Sequence, residues 1–200
     1  GYSKLPKDNR WGTFPGISAG WVLSRENFME SCSNVLSYAK IRASYGANGN
    51  VSGVLDANGN VVTGLDYYTV QGSYGIMKDK DGKIVPNYNG KVPLMINDLP
   101  NPTMRWEKSY TFETGFDIGF LNNKYILNFT YYNRHTQDKF AEITLPSHSG
   151  VSSFLSNNGE VQNQGMELEL TANVLRTKDW KFTVSMNTAY NKNKIISLPY

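Results

Sequence analysis

The sequence predicts an all-β chain: a segment of an antiparallel transmembrane β-barrel, with about six membrane strands and long extracellular loops. Its 200 residues include 13 Tyr and 18 Gly, and 18% are charged, a composition that favours strands and turns over helices. Apolar and polar residues alternate with period two in six segments. These segments approach the ~9–11 residues of a tilted membrane strand, whereas soluble strands usually have about 5–6.

The alternation places apolar side chains on one face of each segment. In the first three segments these residues are Ile17, Ala19, Trp21 and Leu23, then Ala39, Ile41, Ala43 and Tyr45, then Tyr110, Phe112, Phe116, Ile118 and Phe120. In the last three they are Tyr125, Leu127, Phe129 and Tyr131, then Met166, Leu168, Leu170, Ala172 and Val174, then Trp180, Phe182, Val184, Met186 and Tyr190. Aromatic residues recur near the segment ends, as they do in the girdles at the two membrane interfaces of a barrel.

The opposite faces carry charged and polar residues inside the strands. The candidates for a position facing the barrel lumen are Lys40, Arg42, Ser44, Glu113, Asp117, Asn128, Thr130, Glu167 and Glu169. A lumen position is expected because a Lys or Arg that faces lipid at mid-depth costs about 2–4 kcal/mol. Two interpretations remain open: these residues line a passage or contact a plug, or they pair across strands and hold a wet interior together.

The connections predict which end of the strands faces which side of the membrane. Residues 121–124 and 175–179 form tight links, whereas 47–104 and 136–164 are predicted to be long extracellular loops. The link over 24–37 is intermediate, and one helical turn is expected there. Short turns on one side and long loops on the other are typical of bacterial outer-membrane barrels.

The region 47–104 contains two hairpin signals, at 55–61 and at 77–84, because Asn-Gly and Asp-Gly supply the positive φ angles of tight turns. Four prolines between 86 and 102 then predict irregular chain. Aromatic rings stack on sugars or hold peptide side chains, although the same rings could pack the loop or meet a partner protein. The candidate contacts for a substrate or a lid are Tyr67, Tyr68, Tyr74 and Tyr88.

Other classes of protein and site are excluded or not indicated. No run approaches the ~18 apolar residues of a membrane helix, and the first residues do not form a signal peptide. The net charge of +3 does not indicate nucleic-acid binding. Cys32 alone allows neither an intrachain disulfide nor a Cys-based zinc site. His135 and His148 form no metal or catalytic motif, so no enzyme activity, metal or cofactor is expected.

Several motifs resemble one known family. The sequence contains N-R-W-G-T-F-P-G-I-S-A-G-W, which resembles the RWG-x-FPS-x-S-x-GW run of the SusC/RagA-type TonB-linked outer-membrane transporters. It also contains L-P-N-P-T-M-R-W-E-K, which resembles the LPNP-x-LKWEKS element of the same family. Further matches resemble S-x-E-x-F, KLRASYG-x-x-GN, N-x-G-x-V-x-NKGVE and YNKNKI. In chain order the six matches cover residues 9–21, 24–29, 40–50, 99–108, 158–168 and 190–195. The departures are mild, with Gly16 for Ser, Met104 for Leu and Gln164 for Lys.

The resemblance implies a multi-pass bacterial outer-membrane protein with a 22-stranded barrel and an N-terminal plug. It implies import of oligosaccharides or peptides, a SusD-like surface lipoprotein as a lid, and a TonB complex that engages parts of the parent chain not present here. Outer-membrane lipid is the other expected partner, and nucleic acid is not one. Six strands do not close such a barrel, and open edges are not tolerated in lipid. Residues 1–200 are therefore expected to be one stretch of a TonB-dependent receptor barrel domain, without the plug.

The sequence leaves two other functions open. A soluble β-sandwich module that binds glycans through its loop tyrosines would also be rich in aromatic residues and strands. A porin-like passive channel would share the barrel wall. The sequence does not name the substrate.

Overall fold

The computed structural model describes residues 1–51, 53–55, 61–63, 65, 67–85, 89, 91–151 and 153–198. Its strands are β1 (Gly16–Val22), β2 (Leu36–Asn50), β3 (Val54–Leu55), β4 (Val61–Thr63), β5 (Ser73–Ile76), β6 (Leu94–Asp98), β7 (Glu107–Phe120), β8 (Tyr125–Thr144), β9 (Ser153–Arg176) and β10 (Lys181–Ser197). The helix α1 spans Tyr67–Gln71. The main sheet has six strands in the order β1-β2-β7-β8-β9-β10.

All six predicted membrane segments are strands of this one sheet, and every neighbouring pair is antiparallel. The register keeps the two faces continuous across the sheet. Arg42 lies opposite Gly115, Gly115 opposite Thr130, and Thr130 opposite Glu167. A slip of one residue would exchange the faces. The open six-stranded sheet is the architecture of a partial barrel, and two packed layers of a β-sandwich are not formed by the described residues.

Among the described residues, no second sheet covers the apolar face of the main sheet. At its centre the Phe116 and Phe129 rings stack, with centroids 5.1 Å apart. Many large apolar side chains on this face are exposed. They include Ile17, Trp21, Ile41, Tyr45, Phe112, Met166, Leu170, Phe182, Met186 and Tyr190. An exposed apolar surface of this extent marks contact with a membrane or a partner.

The apolar band shifts along the strands from one edge of the sheet to the other. On β2 the last aromatic residue of this face is Tyr45, and the residue in the same row on β10 is Lys192. On β10 the last aromatic residue is Tyr190, which lies one row nearer the tight turns. Such a shift is expected when strands tilt by about 35–45° relative to a membrane.

The tight link between β7 and β8 depends on left-handed backbone. Leu121, Asn122 and Asn123 have φ angles of 51°, 56° and 59°, a conformation that Asn tolerates better than most residues. The turn is tied to the preceding connection, because Leu121 N donates to Val35 O at 2.8 Å. That connection contains 3₁₀ turns at Leu23–Arg25 and Asn27–Cys32, in the region where the sequence predicts a helical turn.

The segment 136–164, predicted as a loop, is mostly strand. β8 continues to Thr144, β9 begins at Ser153, and the two remain paired. The register shifts twice, between Thr136 and Ala141, and Asp138 has a φ of 56°. These β-bulges interrupt the period-two alternation, which explains why the sequence pattern ends before the strands do.

The region 47–104 contains short paired segments. β3 pairs with β4 around the first hairpin signal, whose turn residues 56–60 lie outside the described residues. Lys78 bridges Ile84 around the second signal, where Gly82 has a φ of 79°. β5 pairs with β6, and the sequence did not predict α1. Within the part of the chain that the structure describes, no helix is long and apolar enough to cross a membrane.

A small core lies at the loop end of the sheet. It comprises Leu5, Leu65, Met104, Phe140 and Leu155, all buried. It joins the N-terminal segment, the chain before β7 and the outer hairpin of β8 and β9. The long hairpin is therefore held by packing as well as by strand pairing.

Candidate functional site

The polar face of the sheet brings the predicted site residues together. One row across β2, β7, β8 and β9 consists of Lys40, Asp117, Asn128 and Glu169. The next row contains Arg42, Thr130 and Glu167, and the third contains Ser44 and Glu113. These residues come from segments far apart in the sequence, and the strand register places them side by side.

Arg42 is the centre of this face. Its Nη1 lies 3.5 Å from Glu113 Oε1 and its Nε lies 3.6 Å from Asp117 Oδ1. Its Nη2 donates to Thr130 Oγ1 at 2.5 Å. One guanidinium thus links β2, β7 and β8. Because these side chains are partly exposed, each ion pair contributes little stability by itself, and their main effect is to orient the groups.

Gly115 makes the Arg42 geometry possible. It lies between Arg42 and Thr130 in the same row. A Cβ at position 115 would lie 3.2 Å from Arg42 Cζ and would also collide with Phe129 O. The absent side chain therefore lets the guanidinium cross β7 at close range.

We expect Gly115→Ala to destabilise the protein by about 1–3 kcal/mol, because the new methyl group has no space. The measurement is urea unfolding of the parent protein in lipid vesicles. Gly46→Ala is the matched control: it lies on the same face, and its nearest atom would be Gly16 Cα at an ordinary 3.6 Å. Equal effects of the two substitutions would contradict this explanation.

A groove of ≈ 780 Å³ extends from Arg42 across β8 and β9 to β10. Asn128 Nδ2 donates to Glu169 Oε2 at 3.4 Å. Among the described residues, the Glu167 carboxylate forms neither a side-chain hydrogen bond nor an ion pair. The residues predicted to face the lumen include only two cations, Lys40 and Arg42, and a larger number of carboxylates. No group of side chains suited to a metal ion occurs in the described residues. The groove therefore offers hydrogen-bonding groups with a negative balance.

The two loop tyrosines whose side chains the structure describes, Tyr68 and Tyr74, do not line this groove. Tyr68, in α1, is 58% exposed, and Tyr74, in β5, is 74% exposed. The Tyr67 side chain and Tyr88 lie outside the described residues. Tyr74 lies opposite Ile96, and Ile76 lies opposite Leu94. These four exposed side chains form one apolar surface, which we call the β5–β6 patch.

Two buried groups that the sequence interpretation missed anchor the start of β7 and the chain before it. Asn157 Oδ1 accepts from Arg105 N at 3.0 Å, and Asn157 Nδ2 donates to Arg105 O and Asp138 O at 2.9 and 2.8 Å. Arg105 Nη2 lies 2.6 Å from Asp138 Oδ1. The hydrogen bond to Asp138 raises the pKa of Arg105, so this cation stays charged at any physiological pH.

Glu107 is the second missed group, and it is 3% exposed. Its Oε1 accepts from Phe140 N and its Oε2 from Asn50 Nδ2, both at 2.7 Å. Lys139 Nζ lies 3.9 Å from the same carboxylate. In the sequence, Glu107 is distinguished from other acidic residues only by its position in the LPNP-type motif, and that position does not reveal that its side chain is buried.

An open antiparallel sheet with one exposed apolar face and one charged face defines a class of protein: the wall of a transmembrane β-barrel. The chain matches the family "TonB dependent receptor-like, beta-barrel" over residues 2–198, and it belongs to that family. It is thus part of an outer-membrane barrel, and the family's proteins are transporters and receptors, not enzymes.

The similar proteins agree with this assignment. TonB-dependent receptor P3 of Formosa agariphila is 32% identical over 199 residues, covering 100% of this chain and 18% of the relative. TonB-dependent receptor SusC of Bacteroides thetaiotaomicron is also 32% identical, covering 99% of this chain and 18% of SusC. The RagAB peptide importer in its closed-closed state superposes with a TM-score of 0.79 at 26% identity, over 99% of this chain and 20% of that one. The chain therefore spans about a fifth of the length of these relatives.

Proposed function

We propose that the parent protein imports oligosaccharides or peptides across the outer membrane and that this segment is part of its barrel wall. The observation that carries the proposal is the sheet with two unlike faces, of which the polar face holds the Arg42 cluster. Similarity to SusC and to a peptide importer supports import as the function.

In this proposal the apolar face contacts lipid and the polar face lines the lumen. The exposed Ile41, Met166 and Met186 would lose their contact with water in a bilayer. Charged residues such as Arg42 and Glu169 would stay hydrated on the lumen side. The short links would then face the periplasm, and the regions 47–104 and 136–164 would face the outside.

The polar face suits a neutral, hydrogen-bonding substrate. Asn128, Thr130 and Asn187 line the groove with amide and hydroxyl groups, which bind sugar hydroxyls and peptide groups alike. The excess of carboxylates at Glu167 and Glu169 disfavours anionic substrates near β9. Passage rather than tight binding is the expected role of this wall.

The expected partners are a SusD-like surface lipoprotein and the TonB complex. The β5–β6 patch is the proposed contact for the lipoprotein, because an exposed apolar surface in a loop region marks protein contact. The exposed Tyr68 in α1 is a further candidate. The TonB complex would act through parts of the parent chain outside residues 1–200.

Energised uptake by cells tests the proposed function. Cells that carry the parent gene are expected to accumulate fluorescent oligosaccharides or oligopeptides, and cells without the gene are not. Uptake of the preferred class should stop when the proton-motive force is dissipated, because import powered through TonB requires energy. Uptake that persists without energy would support a passive channel and would contradict the proposal.

A further inference from the structure

A groove on the apolar face lies where the apolar rows end, on the side of the long loops. It has a volume of ≈ 480 Å³. Tyr45 and Phe112 lie opposite each other on β2 and β7, and Asn133 continues the same row on β8. We call this groove the boundary groove, because aromatic rings line one side of it and amide side chains line the other.

The polar side of the boundary groove offers donors. Gln162 Nε2 donates to Asn133 Oδ1 at 3.0 Å, so the oxygen of this amide is the acceptor and its Nδ2 carries the donors. The nearby carboxylate is that of Glu160, whose Oε1 lies 2.6 Å from His135 Nε2. Glu160 therefore lies against the His135 ring and contributes one negative charge to this border.

Lysines surround this groove on both sides. Lys192 and Lys194 follow Tyr190 on β10 and share its face, opposite Gln164 and Gln162. Lys108, on β7, lies opposite Gln137, which lines the groove. All three are exposed, and none forms an ion pair with another described residue. Three cations against Glu160 give this border of the apolar face a positive balance.

We propose that the boundary groove binds the phosphorylated headgroup of an outer-leaflet lipid. The groove is continuous with the face assigned to lipid, so the acyl chains of that lipid would lie on Phe112 and the residues beyond it. The lysines and the Asn133 amide would bind the phosphate, since cations and amide donors at the membrane surface attract anionic headgroups. This inference rests on the proposed orientation of the two faces.

The test uses the full parent protein in nanodiscs of phosphatidylcholine that contain lipid A, with retained lipid A counted by native mass spectrometry. The variant K192Q/K194Q is expected to bind lipid A about 30-fold more weakly, because each lysine at a charged surface contributes roughly a fivefold factor. The variant K192R/K194R keeps the charge and should retain binding. The control K178Q/K181Q removes the same charge at the opposite, tight-turn end and should have no effect.

Two further arms make the result decisive. Lipid A without its phosphates should bind the native protein and the K192Q/K194Q variant equally weakly. Equal retention of intact lipid A by native protein and K192Q/K194Q would overturn the proposal, as would displacement of the lipid by millimolar inorganic phosphate, which would indicate a site for free anions. A spin label at Leu168 that is inaccessible to a lipid-phase quencher would refute the orientation itself, and with it the proposed wall.

Discussion

Replacing Glu107 with Leu is expected to destabilise the outer hairpin of β8 and β9 by about 3–5 kcal/mol, the usual cost of removing one member of a buried charged cluster. The carboxylate accepts hydrogen bonds from Phe140 N and Asn50 Nδ2 and lies near Lys139. Leu leaves the Phe140 N–H without this acceptor in a buried place, and an unsatisfied buried donor is costly. The effect should be local, because Glu107 joins the start of β7 to the hairpin.

Hydrogen exchange measures this loss. The Phe140 amide of the parent protein should lose protection by about 10²–10³-fold, which corresponds to roughly 3–4 kcal/mol. Glu107→Gln is the matched control, since its amide oxygen can still accept the Phe140 N–H, and most of the protection should remain. If Leu and Gln give the same exchange rate, the hydrogen bond is not what holds the hairpin.

Replacing Phe129 with Lys is expected to cost about 3–5 kcal/mol in a bilayer. A lysine facing lipid at mid-depth costs about 2–4 kcal/mol, and loss of the ring stacked on Phe116 adds about 0.5–1.5 kcal/mol. The adjacent Asn128→Lys is the matched control. Its side chain lies on the polar face between Asp117 and Glu169, where a cation should be neutral or favourable.

Urea unfolding of the parent protein in lipid vesicles compares the two lysine variants. Spin labels at Leu168 and Glu169, introduced after the exposed Cys32 is replaced with Ser, provide an independent measurement. The Leu168 label should respond to a lipid-phase quencher and the Glu169 label to a water-soluble one. Similar unfolding of both lysine variants, together with a water-exposed Leu168 label, would show that the faces are reversed.

The period-two pattern predicts the candidate polar face well. Lys40 to Ser44 on β2, and Glu167 with Glu169 on β9, were assigned to one face because the β-pleat turns successive side chains to opposite sides. The cluster itself was not predictable. Arg42 meets Asp117 and Thr130 through strand register, and one residue of slip would separate them.

The loop regions show where the pattern fails. Bulges around Asp138 break the alternation, so the paired strands up to Thr144 look like a loop in the sequence. Glu107 and Asn157 look like surface residues in the sequence, because charged and amide side chains are mostly exposed. Both are buried, since backbone groups from distant segments satisfy their hydrogen bonds.

The sequence by itself determined the class of the protein. Alternation, segment length and the order of motifs specify strands with a lipid-type face and a polar face, because the pleat sets that period locally. The tertiary structure alone decided the register, the extent of the outer hairpin and the residues that hold it. These depend on contacts such as Arg42 with Thr130 and Glu107 with Phe140, which join residues far apart in the chain and leave no periodic trace in the sequence.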